Sequence, residues 1–334
     1  MHQHIPVRVE NDVLIRTLYL TSNLDGEALL QLLDTMTPEE NQHLLDSAHE
    51  VRKLHYGNTV FVRGLIELTN VCRKDCAYCG IRRSNRHADR YRLLPETVIE
   101  ACAEGYRLGF RTFVLQGGED PFYDGERISD LVSTIRARYP DCAITLSLGE
   151  WPQTTYQRFF EAGADRYLLR HESATESLYR AIHPDSDFHE RRRCLQDLKG
   201  IGFQTGAGFM VGIPGQTNAD LVNDLLFLKA LQPHMVGIGP FIPHKDTPLG
   251  GNPAGTVDKT LTLLALVRLL LPDVLLPATT ALGTIDAFGR EKAYRAGANV
   301  IMPNLTPPSE KSKYLLYEGK GAVDDPPAKC LEDL

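Results

Sequence analysis

Hydrophobic positions along the chain follow two periods, and the change between them falls near residue 60. Before it the spacing is helical. Leu29, Leu30, Leu32 and Leu33 predict a helix over residues 24–33 behind the cap candidates Asn23 and Asp25. Thr37-Pro38-Glu39-Glu40 predicts a second helix, with threonine at the cap, proline at the first position and glutamate at the third, so that each end satisfies the other's backbone N–H. After residue 60, short apolar or β-branched runs recur at 64–68, 112–115, 144–148, 167–169, 204–211, 235–239, 274–278 and 299–302. Most are separated by stretches of helical period. From Pro95, for example, Val98, Ile99, Cys102 and Tyr106 share one face.

Glycine punctuates this alternation. Gly109, Gly163, Gly202 and Gly297 each stand just before a strand candidate, where a left-handed residue ends a helix and returns the chain to a sheet. Eight strand candidates alternating with helices predict an α/β chain built on a (βα)8 TIM-type barrel, with an open doubly wound sheet as the alternative. The expected organisation is an N-terminal helical extension (1–60), the barrel (61–305) and a C-terminal segment (306–334) that closes the barrel and ends in an acidic, proline-containing tail.

A net charge of −7 argues against a nucleic-acid surface, which needs a basic stripe. Arg82, Arg83, Arg86, Arg90 and Arg92 do cluster, either as a solvated loop or as an anionic-cofactor neighbourhood. The N-terminus lacks the apolar core of a signal peptide. The most apolar stretch, 261–278, carries Arg268, Asp273 and two prolines, so it predicts a barrel helix and strand rather than a membrane span. A cytoplasmic protein with reduced thiols is expected.

The chain has seven cysteines, and three crowd into the run Cys72-Arg-Lys-Asp-Cys76-Ala-Tyr-Cys79 after the first barrel strand. That spacing is poor for disulfides and good for a metal or cluster. Three thiolates from one loop wrap three corners of a 4Fe–4S cluster and leave the fourth iron open. Structural zinc is the competitor, but it wants four closed ligands, and the nearest further candidate is His87. Plain buried cysteines are the bland reading. Cys102, Cys142, Cys194 and Cys330 form no second ligand set, which disfavours a biotin-synthase-like donor cluster.

This C-x3-C-x2-C loop resembles that of the radical S-adenosylmethionine (SAM) superfamily. The resemblance implies an open iron that chelates the methionine moiety and one-electron cleavage of the sulfonium to a 5′-deoxyadenosyl radical. It implies cofactor roles for Tyr78, the aromatic before the third cysteine, and for Gly117, Gly118 and Glu119, which match the family's GGE motif after the second strand. Met210, in the strand 206–212, and Ile238, in 237–242, match segments that run beside the nucleoside. The acidic end of the first pattern is replaced by Gln216 or Thr217. Other polar groups collect at strand ends. Thr145 and Ser147 share a face, and are either cavity hydroxyls or satisfied core groups. Arg166 and Arg170 flank another strand, as an anion clamp at the barrel mouth or as salt-bridge partners of Glu150, Glu172 or Asp165.

Further runs (TLSLGEWP, AGADRYLLRHESA, TGAGFMVGIPGQT, PATTALGTI) resemble the HydE family of FeFe-hydrogenase maturases from about residue 60 to 320. On matching positions the resemblance implies that Gln116, Glu172 and Arg191 bind SAM, and that Thr145, Ser147, Arg170, Tyr314 and Tyr317 line a cavity for small anionic sulfur-containing or organometallic ligands. It implies work alongside the sister maturases HydG and HydF with a one-electron donor, on a cysteine-ligated iron carbonyl–cyanide synthon. A methylornithine-forming mutase and a non-catalytic cluster or zinc scaffold are the alternatives.

Overall fold

The computed structural model describes residues 10–320 and Pro327. Three helices open it: α1 (Asn11–Thr21), α2 (Gly26–Thr35) and α3 (Pro38–Tyr56). The capping box at α3 forms in both directions. The Glu40 N–H donates to Thr37 Oγ1 at 3.2 Å and the Thr37 N–H to Glu40 Oε2 at 2.7 Å. Such a cap is worth about 1 kcal/mol. α2 and α3 pack on the outer barrel helices α9 (Asn218–Leu231) and α10 (Val257–Leu270), within one continuous core that runs from Leu14 to Tyr314.

The strands are β1 (Phe61–Val62), β2 (Gly64–Thr69), β3 (Thr112–Gly117), β4 (Ala143–Ser147), β5 (Arg166–Leu168), β6 (Gln204–Ala207), β7 (Met210–Val211), β8 (Met235–Val236), β9 (Gly239–Pro240) and β10 (Val300–Ile301). A parallel sheet runs β2-β3-β4-β5-β6-β8. The ring then closes through single bridges, Met235 to Leu275 and Pro277 to Val300, and through the pairs β10 with β1 and Leu65 with Asn304. Helices lie between successive strands, including α4 (Pro95–Arg107), α5 (Gly125–Arg138), α6 (Gln153–Glu161), α7 (Glu176–Ile182) and α8 (Phe188–Ile201). The architecture is the expected TIM-type barrel.

Three strand candidates come out interrupted or reduced to bridges, each for a local reason. The run 204–211 is interrupted at Gly208, whose φ is 152°, and 235–239 is interrupted at Gly237. A Cβ on Gly208 would lie 2.0 Å from the Gly237 carbonyl oxygen, so the chains cross there too closely for any side chain. Residues 274–278 contribute only bridges, because Pro277 has no N–H to give a ladder. Arg268 compensates at this weak closure. Fully buried in α10, it donates to the carbonyls of Gly297, Pro272 and Val274 at 2.7 to 3.0 Å. The four predicted glycine punctuations hold. Gly109, Gly163, Gly202 and Gly297 have φ of 98°, 110°, 109° and 103°. Among the described residues no helix is long and apolar enough to cross a membrane.

Alternation along the strands turns polar side chains inward. Register places Glu67 beside Gln116 and Gln116 beside Ser147. The C-terminal segment reaches this layer: Lys320 and Asn304 both donate to Glu67, at 2.5 and 3.0 Å. Cys330 and the tail 324–334, Pro327 excepted, lie outside the described residues.

Candidate active site

The loop after β2 carries Cys72, Cys76 and Cys79, and its backbone shape is set by arginine side chains rather than by regular structure. Arg90 donates to the carbonyls of Asn70, Ile81, Arg82 and Asn85 at 2.5 to 2.9 Å. Asp75 accepts from Arg82 Nε, the Ser84 N–H and Ser84 Oγ at 2.6 to 3.0 Å. Arg92 forks onto Asp120 at 2.6 and 3.0 Å. The arginine cluster thus divides: Arg82, Arg90 and Arg92 brace the loop, while Arg83 and Arg86 are exposed.

Asp120 also accepts from Thr69 Oγ1 and the Phe122 N–H, which ties the end of β3 to the end of β2. Burial alone raises its carboxyl, but the hydrogen bonds from Arg92, Phe122 and Thr69 outweigh that and hold it below the ordinary value. A carboxyl lowered in the folded state stabilises the fold above its unfolded pKa, about 3.9. That contribution is lost as pH falls through the lower folded value. Asp120→Asn is therefore expected to flatten the pH dependence of urea-unfolding stability as pH falls below about 4. Equal slopes for the two proteins would refute this role.

The three thiols are partly covered, and Cys72 raises the pKa of both Cys76 and Cys79. Burial pushes the Cys76 thiol well up, with Cys79 and Cys72 adding to it, and burial pushes Cys79 up to about 12. Cys72 is raised by burial too, although its sulfur accepts the Glu119 N–H at 3.4 Å. A free set of thiolates is costly here, and a cationic metal group reverses that cost. Gly118 explains the glycine pair. A Cβ there would lie 2.2 Å from the Val71 carbonyl oxygen and 2.8 Å from Cys72 Cβ, so only bare backbone fits against the cysteine loop. The donor set and its packing fit a metal cluster.

The other predicted residues divide into those drawn to the loop and those committed elsewhere. Tyr78 packs against the apolar cluster of Leu178, Ile182, Met210 and Ile213, and its hydroxyl lies 3.4 Å from His183 Nε2. Glu172, in the left-handed conformation at φ 63°, pairs with Arg170 at 3.0 Å. Both lie close enough to Tyr78 to act on its ionisation. Their contact is off the hydrogen-bond direction, so Arg170 Nε and Nη2 and Glu172 Oε2 remain buried without a hydrogen bond. Holding a non-glycine residue left-handed costs about 1–3 kcal/mol and is typical of ligand clamps. Gln116 Nε2 donates to Tyr314 OH at 3.4 Å. Ile238 is fully buried between β8 and β9, and Ser147 and Tyr317 are half-buried.

Glu119 and Arg191 are drawn into one ion network. Arg191 Nε lies 2.8 Å from Glu150 Oε1, Lys74 Nζ donates to Glu150 Oε2 at 2.9 Å, and Arg73 binds Glu119 at 3.0 Å. The Glu119 backbone touches the cysteine loop as well, through its N–H to Cys72 and its carbonyl to the Arg73 N–H. One expectation needs correction. Arg166 does not share the barrel mouth with Arg170. It begins β5 at the opposite end, bound to Gln204 and Thr112 and lining a small cavity with Arg63 and His234. A three-residue strand separates the two, and a strand's two ends open on opposite faces of a barrel. Thr145 lines that same inner cavity, its hydroxyl buried without a hydrogen bond.

Sequence reasoning missed His183, Glu67, Lys320 and Asn304. His183 stands before a proline at a short helix end, with no spacing signal linking it to the cysteines. The others are a strand glutamate and two residues of the C-terminal segment, joined only by folding.

A parallel barrel with a three-cysteine loop after its first long strand defines a class, and comparison agrees: the Radical SAM superfamily matches residues 66–228. A [FeFe] hydrogenase maturase subunit HydE from Thermotoga maritima is 50% identical over 305 residues, covering 91% of this chain and 87% of that one. The chain belongs to the HydE family of radical SAM enzymes, which use a 4Fe–4S cluster and SAM. Among solved structures, a methylornithine synthase aligns with a TM-score of 0.79 at 28% identity, over 88% of this chain and 86% of that one. The maturase HydG from Carboxydothermus hydrogenoformans aligns with a TM-score of 0.76 at 20% identity, over 88% and 70%, and shares the fold.

Proposed function

We propose that Cys72, Cys76 and Cys79 hold the 4Fe–4S cluster and that the chain acts in assembling the two-iron subcluster of FeFe-hydrogenase. The observation that carries the cluster assignment is the trio of half-buried thiols on one braced loop, with Cys72 close enough to raise the pKa of Cys76 and Cys79. Among the described residues no three His, Cys, Asp or Glu side chains converge on a point that suits a single ion. Three cysteines in C-x3-C-x2-C spacing suit three corners of a cluster better than a closed tetrahedral zinc site.

When bound, the cluster supplies the electron that cleaves the SAM sulfonium. The chain's own residues bind and orient. Gly117 and Gly118 give bare backbone beside the loop, Tyr78 and Met210 cover one side, and Gln116, Glu119, Glu172, Arg191 and Ile238 complete the SAM environment. Thr145, Ser147, Arg170, Tyr314 and Tyr317 line the substrate cavity. The unspent donors of Arg170 favour a small anionic sulfur-containing or organometallic substrate, such as a cysteine-ligated iron carbonyl–cyanide synthon. HydG and HydF are the proposed partners, together with a one-electron donor. Residues 1–60, 61–305 and 306–334 are proposed as helical extension, barrel and closing segment.

The test is anaerobic reconstitution with iron and sulfide, followed by SAM and dithionite. 5′-Deoxyadenosine is expected, and addition to a hydrogenase-maturation mixture is expected to restore hydrogenase activity. Failure to form the nucleoside leaves a non-catalytic scaffold; conversion of lysine to methylornithine would favour the mutase instead.

A further inference from the structure

Between the cysteine loop and helix α7 lies one buried side chain that neither the motif nor the resemblance assigns. His183 follows the last residue of α7 and is 2% exposed. Its Nδ1 lies 3.2 Å from Cys76 Sγ and its Nε2 lies 3.4 Å from Tyr78 OH. The ring is fixed on two sides. It stacks on Tyr179 with centroids 4.7 Å apart and planes 22° apart, and meets Tyr78 edge-on at 5.5 Å. The backbone is fixed as well. The His183 N–H donates to the Tyr179 carbonyl, and the Ala77 N–H, next to Cys76, donates to the Ile182 carbonyl at 2.8 Å.

We infer that His183 is a positioning residue for the cluster, donating its Nδ1–H to the sulfur of Cys76 and thereby setting how readily the cluster accepts its electron. The inference rests on the assignment of Cys76 as a ligand. The tautomer follows from the neighbours. A tyrosine hydroxyl has one hydrogen to give, and with Nε2 accepting it the ring proton sits on Nδ1, facing the sulfur. An iron-bound cysteine is a thiolate with no hydrogen of its own, so the sulfur accepts. Hydrogen bonds to cluster sulfurs are among the terms that set reduction potential, and a donor stabilises the more negative, reduced state. Partners one shell out orient a ligand as well as tune it. Here the orientation comes from a ring that cannot turn without losing its stacking on Tyr179.

Two variants separate donation from packing. His183→Phe keeps a stacked ring and removes the donor; His183→Gln loses the ring and keeps an N–H. The measurement is a redox titration of the reconstituted protein without SAM, followed by electron paramagnetic resonance, with iron counted per chain. His183→Phe is expected to move the one-electron equilibrium about tenfold toward the oxidised cluster, a shift of about 59 mV. His183→Gln is expected to stay within about threefold of wild type. A fully loaded Phe variant with the wild-type potential would overturn the inference, as would a Gln variant shifted as far as Phe. If the Phe variant takes up no iron, loading of the Gln variant supports the donor role, and its failure overturns it. Wild-type protein that takes up no cluster would sink the ligand assignment itself, a result visible before any variant is made.

Discussion

Cys76→Ala is expected to abolish 5′-deoxyadenosine formation and to leave the barrel folded. The loop's shape does not depend on the sulfur. Arg90 holds four carbonyls, and Asp75 is held by Arg82 and Ser84. The Cys76 side chain meets His183 through its Sγ, and its backbone carbonyl, which alanine keeps, accepts the Cys79 N–H. Removing one of three ligands takes away a corner that no other described cysteine can supply, since Cys102, Cys142 and Cys194 are buried on or beside other helices and strands. The loss should exceed the roughly 10–100-fold that removing an outer partner of a metal ligand typically costs. Iron content, the spectrum of the reduced protein and the nucleoside product are the readouts, with thermal unfolding as the control for folding. A variant that keeps a tenth of wild-type product would refute the assignment.

Lys320→Met should destabilise the chain by about 3–5 kcal/mol, the cost of leaving one member of a buried pair behind. Glu67 is fully buried and Lys320 nearly so, with Nζ 2.5 Å from Oε1. Asn304 donates to the other carboxylate oxygen, and the Lys320 ammonium stands 4.9 Å from the centre of the Tyr314 ring. The pair is also a latch. Its lysine belongs to the segment whose Lys313 and Leu316 carbonyls accept from Asn70 and the Gly80 N–H of the cysteine loop. Urea unfolding measures the stability, and protease sensitivity near residue 313 measures the latch. The double change Glu67→Gln with Lys320→Met is expected to recover most of the loss, because it removes the unpaired charge. A single variant within about 0.5 kcal/mol of wild type would mean that the pair is not what holds the segment.

Much of the fold was written locally. The capping box at Thr37 and Glu40 needs four consecutive residues, and the left-handed glycines 109, 163, 202 and 297 need one each, so both could be read without a third dimension. The same holds for the cysteine loop, whose three ligands lie within eight residues. Where a reading required knowing which end of a strand a side chain occupies, it was exposed to error. Arg166 and Arg170 are four residues apart in sequence and at opposite ends of the barrel.

By itself, then, the sequence determined the alternation of strand and helix, the punctuation between them and the loop that offers three thiols. These rest on interactions between residues close along the chain, where spacing is geometry. Only the tertiary structure decided that Glu119 and Arg191 enter one ion network with Glu150, that His183 meets Cys76 from 107 positions away, and that Lys320 reaches Glu67 across 253. The reason is physical. A buried charge or donor takes whichever partner the closed barrel brings within about 3 Å, and barrel closure joins the first strand to the last segment, a meeting that no periodicity records.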